Sequence, residues 1–331
     1  MRFTNKGLMI AATIVMMGIC LMACGGTKQE ESTAASQAPA ADPSAATGAE
    51  TGGKAASNEE RTLKDAAGHE VKVPGNPQRV LALFLEDPMM ALGTKPVAQW
   101  GIGKEPQQYL QSWLQDTPVL DLTNGLTPEL ALGYDPDLIV FTSESWIKNG
   151  TYEDYAKIAP TFILSSDDQS WRDNLIALGD VLNNPSAVQE ALSKYDQKLG
   201  EAKAQLAADF QGKTAAILLP QGDKSFKLFS GSFYSAGLLY GELGFKQPQI
   251  ATDEDFGDYS IEKLGEMGDV DYIFVLSGEG RPKTPTDNVL WKSLPAFKAG
   301  HIFEVDSGHW FNSNAVANQL IIDDVLKSLI K

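Results

Sequence analysis

The chain has 331 residues, room for two modest domains or one large one. Its 43% apolar content can fill a core, which excludes a wholly disordered chain, and a formal net charge of −16 argues against a nucleic-acid partner, whose phosphates need a basic face. Two cysteines build neither a disulfide scaffold nor a four-cysteine zinc site.

Arg2 and Lys6 precede an apolar run from Leu8 to Ala23. That run is about 16 residues, short of the roughly 20 that span a bilayer, and it ends in small residues, the pattern of a signal peptide over 1–23. Leu21-Met22-Ala23-Cys24 resembles a bacterial lipobox. The resemblance implies that Cys24 is diacylated and becomes the mature N-terminus. Residues 25–60 hold no Val, Ile, Leu, Met or aromatic residue, so residues 24–60 are expected to form a lipidated, flexible tether.

From Arg61 the pattern changes. RTLKDAAGHEVKVP predicts a hairpin turning at Ala66-Ala67-Gly68. The run Arg79–Phe84 is near-continuously apolar, as in strands buried on both faces. A helical DPMMALG follows, then a strand over Pro96–Trp100, a short helix in TPELALG and a buried strand over Asp137–Phe141. Alternating strands and helices predict a parallel α/β sheet. The unit YSIEKLGEMGDVDYIFV at 259–275 repeats that layout, aligning Glu262 with Glu129 and Asp271 with Asp137. Two related lobes are therefore expected, over 61–183 and 211–331. Between them, Val188, Leu192, Tyr195, Leu199, Ala202 and Leu206 recur at steps of four and three. They predict one long helix within 184–210, about 35 Å at 1.5 Å per residue and ended by Gly212, coupling the lobes stiffly. The fold expected is α/β, with two Rossmann-like lobes of parallel-type sheets joined by this single rigid helix.

No GxSxG elbow, HExxH or Walker loop is present, and no cysteine follows Cys24 to serve as a nucleophile. An enzyme is not expected. His69, His301 and His309 fit no metal-ligand spacing, so no metal site or cofactor is expected either. His69 reads as solvated and His301 as structural. Two Gly-rich loops follow strands and carry a cation each, Lys104 in GIGKEP and Arg281 in SGEGRP. Open α/β folds place ligands at such strand ends, so the two could face an anionic ligand from opposite lobes. Trp146, Tyr234 beside Phe233, and Trp310 beside Phe311 occupy similar loops and could wall a site. Tyr109 and Trp113 read as half-buried packing; Trp171 and Trp291 read as core.

Over about residues 61–330 the chain resembles the ferric-siderophore and vitamin B12 class of substrate-binding proteins of ABC importers. The segments that carry this are VKVPGNPQRVLAL, ALGTKPV, PELALGYDPDLIV, YEDYAKIAPTFIL, WRDNLIALGDVL, YSAGLLYGELGF, SIEKL and NVLWKSLPAFKAGHIFEVD. The resemblance implies a ligand held between two lobes, and an acid on each lobe's rim, Glu129 and Glu262, docking to arginines of the permease dimer that works with its ATPase. Helix N-terminal acids favoured by the dipole would look the same. The ligand expected is a ferric siderophore, tilted toward hydroxamate or citrate–hydroxamate types, with iron saturated by its chelator. Lys104, Trp146, Tyr234, Arg281, His309 and Trp310 are the candidate contacts. The anchor places a monomeric protein on the outer face of the cell membrane, in a Gram-positive organism. A haem binder of the same fold, with Met89 or Met90 and His309 as axial ligands, is the alternative; cobalamin is another ligand of this class, and an enzyme or an adhesin are remoter ones.

Overall fold

The computed structural model of this chain describes residues 59–165, 170–252 and 254–330. The expected signal peptide, Cys24 and nearly all of the tether lie outside them. The N-terminal hairpin pairs β1 (Arg61–Lys64) with β2 (Glu70–Val73) around Gly68, whose φ of 96° a side chain would resist. His69 is not solvated as expected. Its Nδ1 lies 2.9 Å from Asp65 and its ring stacks on Tyr152 at 3.7 Å.

In the first lobe β3 (Val80–Leu81) leads to α1 (Glu86–Ala91) and β4 (Gln99–Ile102). Next come β5 (Glu105–Pro106), α2 (Gln111–Leu114), β6 (Val119–Asp121) and α3 (Pro128–Leu132). The lobe continues through β7 (Leu138–Ser143), α4 (Tyr152–Ala156), β8 (Thr161–Ser165) and α5 (Trp171–Val181). Strands β3-β7-β8 are parallel, as are β4 and β6, while β5 folds back antiparallel on β4.

The connector α6 runs from Pro185 to Leu206, with Pro185 in its first turn and Asn184 capping Ala187 N–H. It stops at Leu206, and the chain turns through Gly212 at φ 75° before the second lobe. That lobe holds β9 (Ala215–Pro220), β10 (Ser225–Phe229), a π-helical segment (Gly237–Glu242) and β11 (Phe256–Ser260). It ends with β12 (Tyr272–Ser277), α7 (Val289–Ser293), α8 (Pro295–Lys298), β13 (Ile302–Asp306), α9 (Ser307–Trp310) and α10 (Ala315–Leu329). Its sheet, in order β11-β10-β9-β12-β13, is mixed. β9, β12 and β13 are parallel, but the short turn at Gly222 returns β10 antiparallel to β9, because so few residues cannot make a crossover.

The sequence repeat is a structural one. Asp137 accepts from the backbone N–H groups of Gln78 and Arg79 at 2.7 and 2.9 Å, just before β3, the partner of β7. Asp271 accepts from Thr214 N–H at 2.9 Å, just before β9, the partner of β12. Each aspartate fastens the start of one strand to the start of its parallel neighbour.

One continuous apolar core runs from Val80, Leu138 and Leu175 through Tyr195 and Leu206 of α6 to Ile217, Phe274 and Ile321. Helix α10 packs on α6 but also reaches α1 and α5 of the first lobe. Its N-terminus is held from there. Asp87, 2% exposed, accepts from the N–H groups of Val316 and Ala317, each at 2.9 Å. The Tyr109 hydroxyl donates to Asp87 at 2.9 Å and accepts from Asn312 at 2.9 Å. A carboxylate of one lobe thus caps a helix of the other. A second tie lies in Arg172 of α5. It contacts Asp196 at 2.7 Å and Glu242 at 3.4 Å, and stands 4.8 Å from the rings of both Trp171 and Tyr195.

Asp87→Ala leaves two buried N–H groups and the Tyr109 hydroxyl without their acceptor. It is expected to lower the unfolding free energy by about 2–4 kcal/mol, measured by urea denaturation; an unchanged midpoint would show that α10 is seated without the cap.

Candidate binding site

The loops at the carboxyl ends of β3, β6 and β7 enclose a cavity of about 380 Å³. That is the size of a small-molecule site. Leu83 and Phe84 follow β3, Leu122 to Leu126 follow β6, and Trp146 and Lys148 follow β7, whose Phe141 closes the side. The Phe84 ring lies 4.3 Å from Trp146, with which it walls the cavity, and 4.9 Å from Trp100, which packs on it without lining the cavity. Trp146 keeps 41% of its surface exposed. Lys148 makes no ion pair among the described residues and is the one cation lining the cavity.

The second lobe offers a matching aromatic group. Phe233, Tyr234, Phe256 and Phe311 are linked by ring separations of 4.4 Å (233–234), 5.2 Å (233–256) and 5.7 Å (234–311). The Arg281 guanidinium sits 4.7 Å over Phe311, and its Nε donates to Ser307 Oγ at 3.2 Å. The inter-lobe tie begins next to both groups: Asp87 is three residues beyond Phe84, and Asn312 adjoins Phe311.

Beneath the first wall lies a buried acid. Glu86 is 1% exposed; Oε1 accepts from Trp100 N–H at 2.8 Å and Oε2 has no partner among the described residues. Burial pushes its carboxyl up to about 8 against the pull of the Trp100, Glu86 and Phe84 amides. Asp87 is pushed up to about 6, also by burial, which outweighs its hydrogen bonds from Val316, Ala317 and Tyr109. Tyr109 is raised well above its ordinary value by burial and by the charge of Asp87.

Of the residues expected from the sequence, Trp146 stands in the first wall, and Tyr234 and Arg281 meet in the second through Phe311. Lys104 does not line the cavity. Its loop is a tight hairpin between β4 and β5, with Gly103 N–H held by Asp121 at 2.9 Å and Lys104 exposed at the tip. His309 and Trp310 are corrected more sharply. β13 runs straight into α9, which turns both rings inward. His309 Nε2 lies 2.7 Å from Asp324, and Trp310 is fully buried, donating to the same carboxylate at 2.9 Å and stacking on Phe274. Trp310 has no surface to offer a ligand. Met89 is likewise fully buried and Met90 half-buried, and with His309 turned onto Asp324 neither methionine forms an open haem pair with it. Glu129 and Glu262 sit exposed in the first turns of α3 and of the helical turn Ile261–Glu266, and neither lines the cavity.

Phe84 and Lys148, which line the cavity, were not among the expected contacts. Lys148 was within reach of the reading, two residues from Trp146 in the same loop. Phe84 looked like the end of a strand, and nothing local marks the turn it occupies.

Two α/β lobes on one helix, with aromatic residues at their strand ends and a shared core behind, define a two-lobed solute-binding protein. The chain belongs to the periplasmic binding protein family, which its residues 80–308 match. It is 27% identical over 296 residues to the probable siderophore-binding lipoprotein YfiY of Bacillus subtilis, covering 83% of this chain and 89% of that one. It is 26% identical over 341 residues to the Fe(3+)-citrate-binding protein YfmC of the same organism, covering 99% and 98%. Among solved structures it resembles Staphylococcus aureus SirA complexed with staphyloferrin B, with a TM-score of 0.65, 25% identity, and coverage of 81% and 98%. Its fold also matches FhuD2 from Staphylococcus aureus with bound ferrioxamine B, with a TM-score of 0.63, 19% identity, and coverage of 76% and 98%.

Because the native carboxyls of Glu86 and Asp87 hold their protons to higher pH than unfolded ones, the stability they contribute is complete below about pH 4 and is lost as pH rises toward 8. Glu86→Gln is expected to melt about 5 °C or more above the parent at pH 8.5 and to match it near pH 4.5. Thermal scans across that range check it; equal melting at pH 8.5 would show Glu86 ionised without penalty.

Proposed function

We propose that this chain is the extracellular binding component of an ABC importer for a ferric siderophore. The observation that carries the reading is the pair of aromatic groups, one per lobe, with Lys148 lining the first and Arg281 and Lys227 over rings of the second. Such a surface suits the organic shell of a chelate whose iron is already saturated, so the protein supplies packing and a few polar contacts rather than metal ligands. The relatives named for siderophore and ferric-citrate binding support the same ligand class. The buried Met89 and inward His309 disfavour the haem alternative.

In this reading Cys24 carries the lipid, residues 24–60 are the tether, and the folded part stands as a monomer on the outer face of a Gram-positive membrane. The lipoprotein relatives from Bacillus subtilis support that placement. Glu129 and Glu262 dock the two lobes to the permease dimer. Both are exposed, and Ser260 bonds to Glu262 and holds its carboxyl below the usual range. Leu132, on the same helix as Glu129, stands open at 61% exposure, and Val289, at 75%, opens the helix α7 that packs against the Ile261–Glu266 turn.

Tryptophan-fluorescence titration against ferric hydroxamates, ferric citrate, ferric catecholates, haemin and cobalamin tests the ligand class. Saturable binding of one ferric chelate class, weakened about tenfold by Trp146→Ala, is expected. Saturable binding of haemin or cobalamin alone would overturn it. Glu129→Lys combined with Glu262→Lys is expected to leave chelate affinity unchanged and abolish cellular iron uptake; undiminished uptake would remove the docking role.

A further inference from the structure

Among the described residues four non-glycine residues have a positive φ, and one of them, Phe84 at 66°, is an aromatic side chain in the cavity wall. It is the third residue of the turn Ala82–Leu85, closed by Leu85 N–H to Ala82 O at 3.3 Å. That position ordinarily goes to glycine or asparagine, because a β-carbon there meets the backbone. A bulky residue kept in such a conformation is strained, and surrounding contacts must hold it. They are present: Glu86, buried and directly downstream, accepts the amide of Trp100, whose ring packs on Phe84, while Trp146 covers the other side.

The strain is out of proportion to what the ring gains by packing. Phe84 remains only half-buried, with its open side toward the cavity. The cavity around it is apolar apart from Thr123, Asn124 and Lys148, and the acid underneath has no cationic partner among the described residues. A multiply charged ring system would have to shed water there against one lysine, whereas hydrocarbon would not. Three hydroxamates cancel the charge of ferric iron and are joined by hydrocarbon chains; three catecholates leave a trianion.

We propose that Phe84 is a specificity-determining residue, held in a strained turn as a fixed face for the ligand, and that the trough it forms with Trp146 takes a hydrocarbon segment of a ferric hydroxamate in preference to a ferric catecholate. This rests on the siderophore reading above and names the ligand chemistry of that same site.

Calorimetric titration of the full chain with ferrioxamine B and with a ferric tris-catecholate, paired with thermal melts, tests it. Phe84→Asn and Phe84→Gly relieve the turn and remove the ring; Phe84→Tyr keeps both. The parent is expected to bind ferrioxamine B more tightly than the catecholate. Phe84→Asn and Phe84→Gly are expected to lose about tenfold or more in ferrioxamine affinity while melting at or above the parent temperature, and Phe84→Tyr to stay within about twofold. Unchanged affinity in both relieved variants, or a lower melting temperature in both, overturns the role of Phe84 while leaving the siderophore reading intact. Tighter binding of the catecholate overturns the hydroxamate preference. A parent chain that binds neither chelate overturns the siderophore reading and this inference with it.

Discussion

A carboxylate of the first lobe that caps the last helix of the second is the interaction on which the remaining geometry depends. Asp87, itself buried, takes the N–H groups of Val316 and Ala317, the second and third residues of α10. Helix α10 also packs along α6, so the cap, the connector and the C-terminal helix make one block at the back of both lobes. A hinged pair of domains would need a separable interface. Here the apolar core is continuous from the first sheet to the second, and Tyr109 and Asn312 extend the same seam toward the cleft.

In the proposed reading, lobes held in this way would present the two aromatic walls before any ligand arrives. Little conformational entropy is then lost on binding, and affinity rests on how well the walls fit. The walls are mostly π-faces and hydrocarbon with a few cations, Lys148 on one and Arg281 and Lys227 on the other, a surface that suits the proposed reading of a chelate recognised by shape and modest charge. The buried Glu86 beneath the first wall binds the backbone of Trp100, so the electrostatics of the site and the placement of its rings share one side chain.

Much of this was legible in the residues. Apolar runs located β7, β9 and β12, the steps of four and three located α6 nearly to its ends, and the doubled Glu–Asp unit exposed two lobes whose aspartates do the same structural job. What escaped was set by contacts distant in sequence or by abrupt turns. The partner of Tyr109 is 203 residues away, so a half-buried surface aromatic and an inter-lobe strut look identical along the chain. Lys104 and Arg281 sit in similar glycine-rich loops, yet one loop closed into a hairpin and the other stayed beside an aromatic ring. His309 and Trp310 turned inward because α9 starts with no intervening loop, while Phe311, one residue on, reached the cleft wall. Phe84 ended an apolar run that reads as strand, and no local pattern announces a strained turn.

The claim that the seam fixes the cleft is tested most directly by a distance across it. Spin labels at Ile176 in the first lobe and Val289 in the second occupy exposed sites, and Cys20 and Cys24, the only cysteines, are replaced by serine beforehand. Double electron–electron resonance with and without a bound ferric chelate should give the same single distance distribution. A second, shorter distance appearing on ligand addition would mean that the lobes close, and that the Asp87 cap does not hold them.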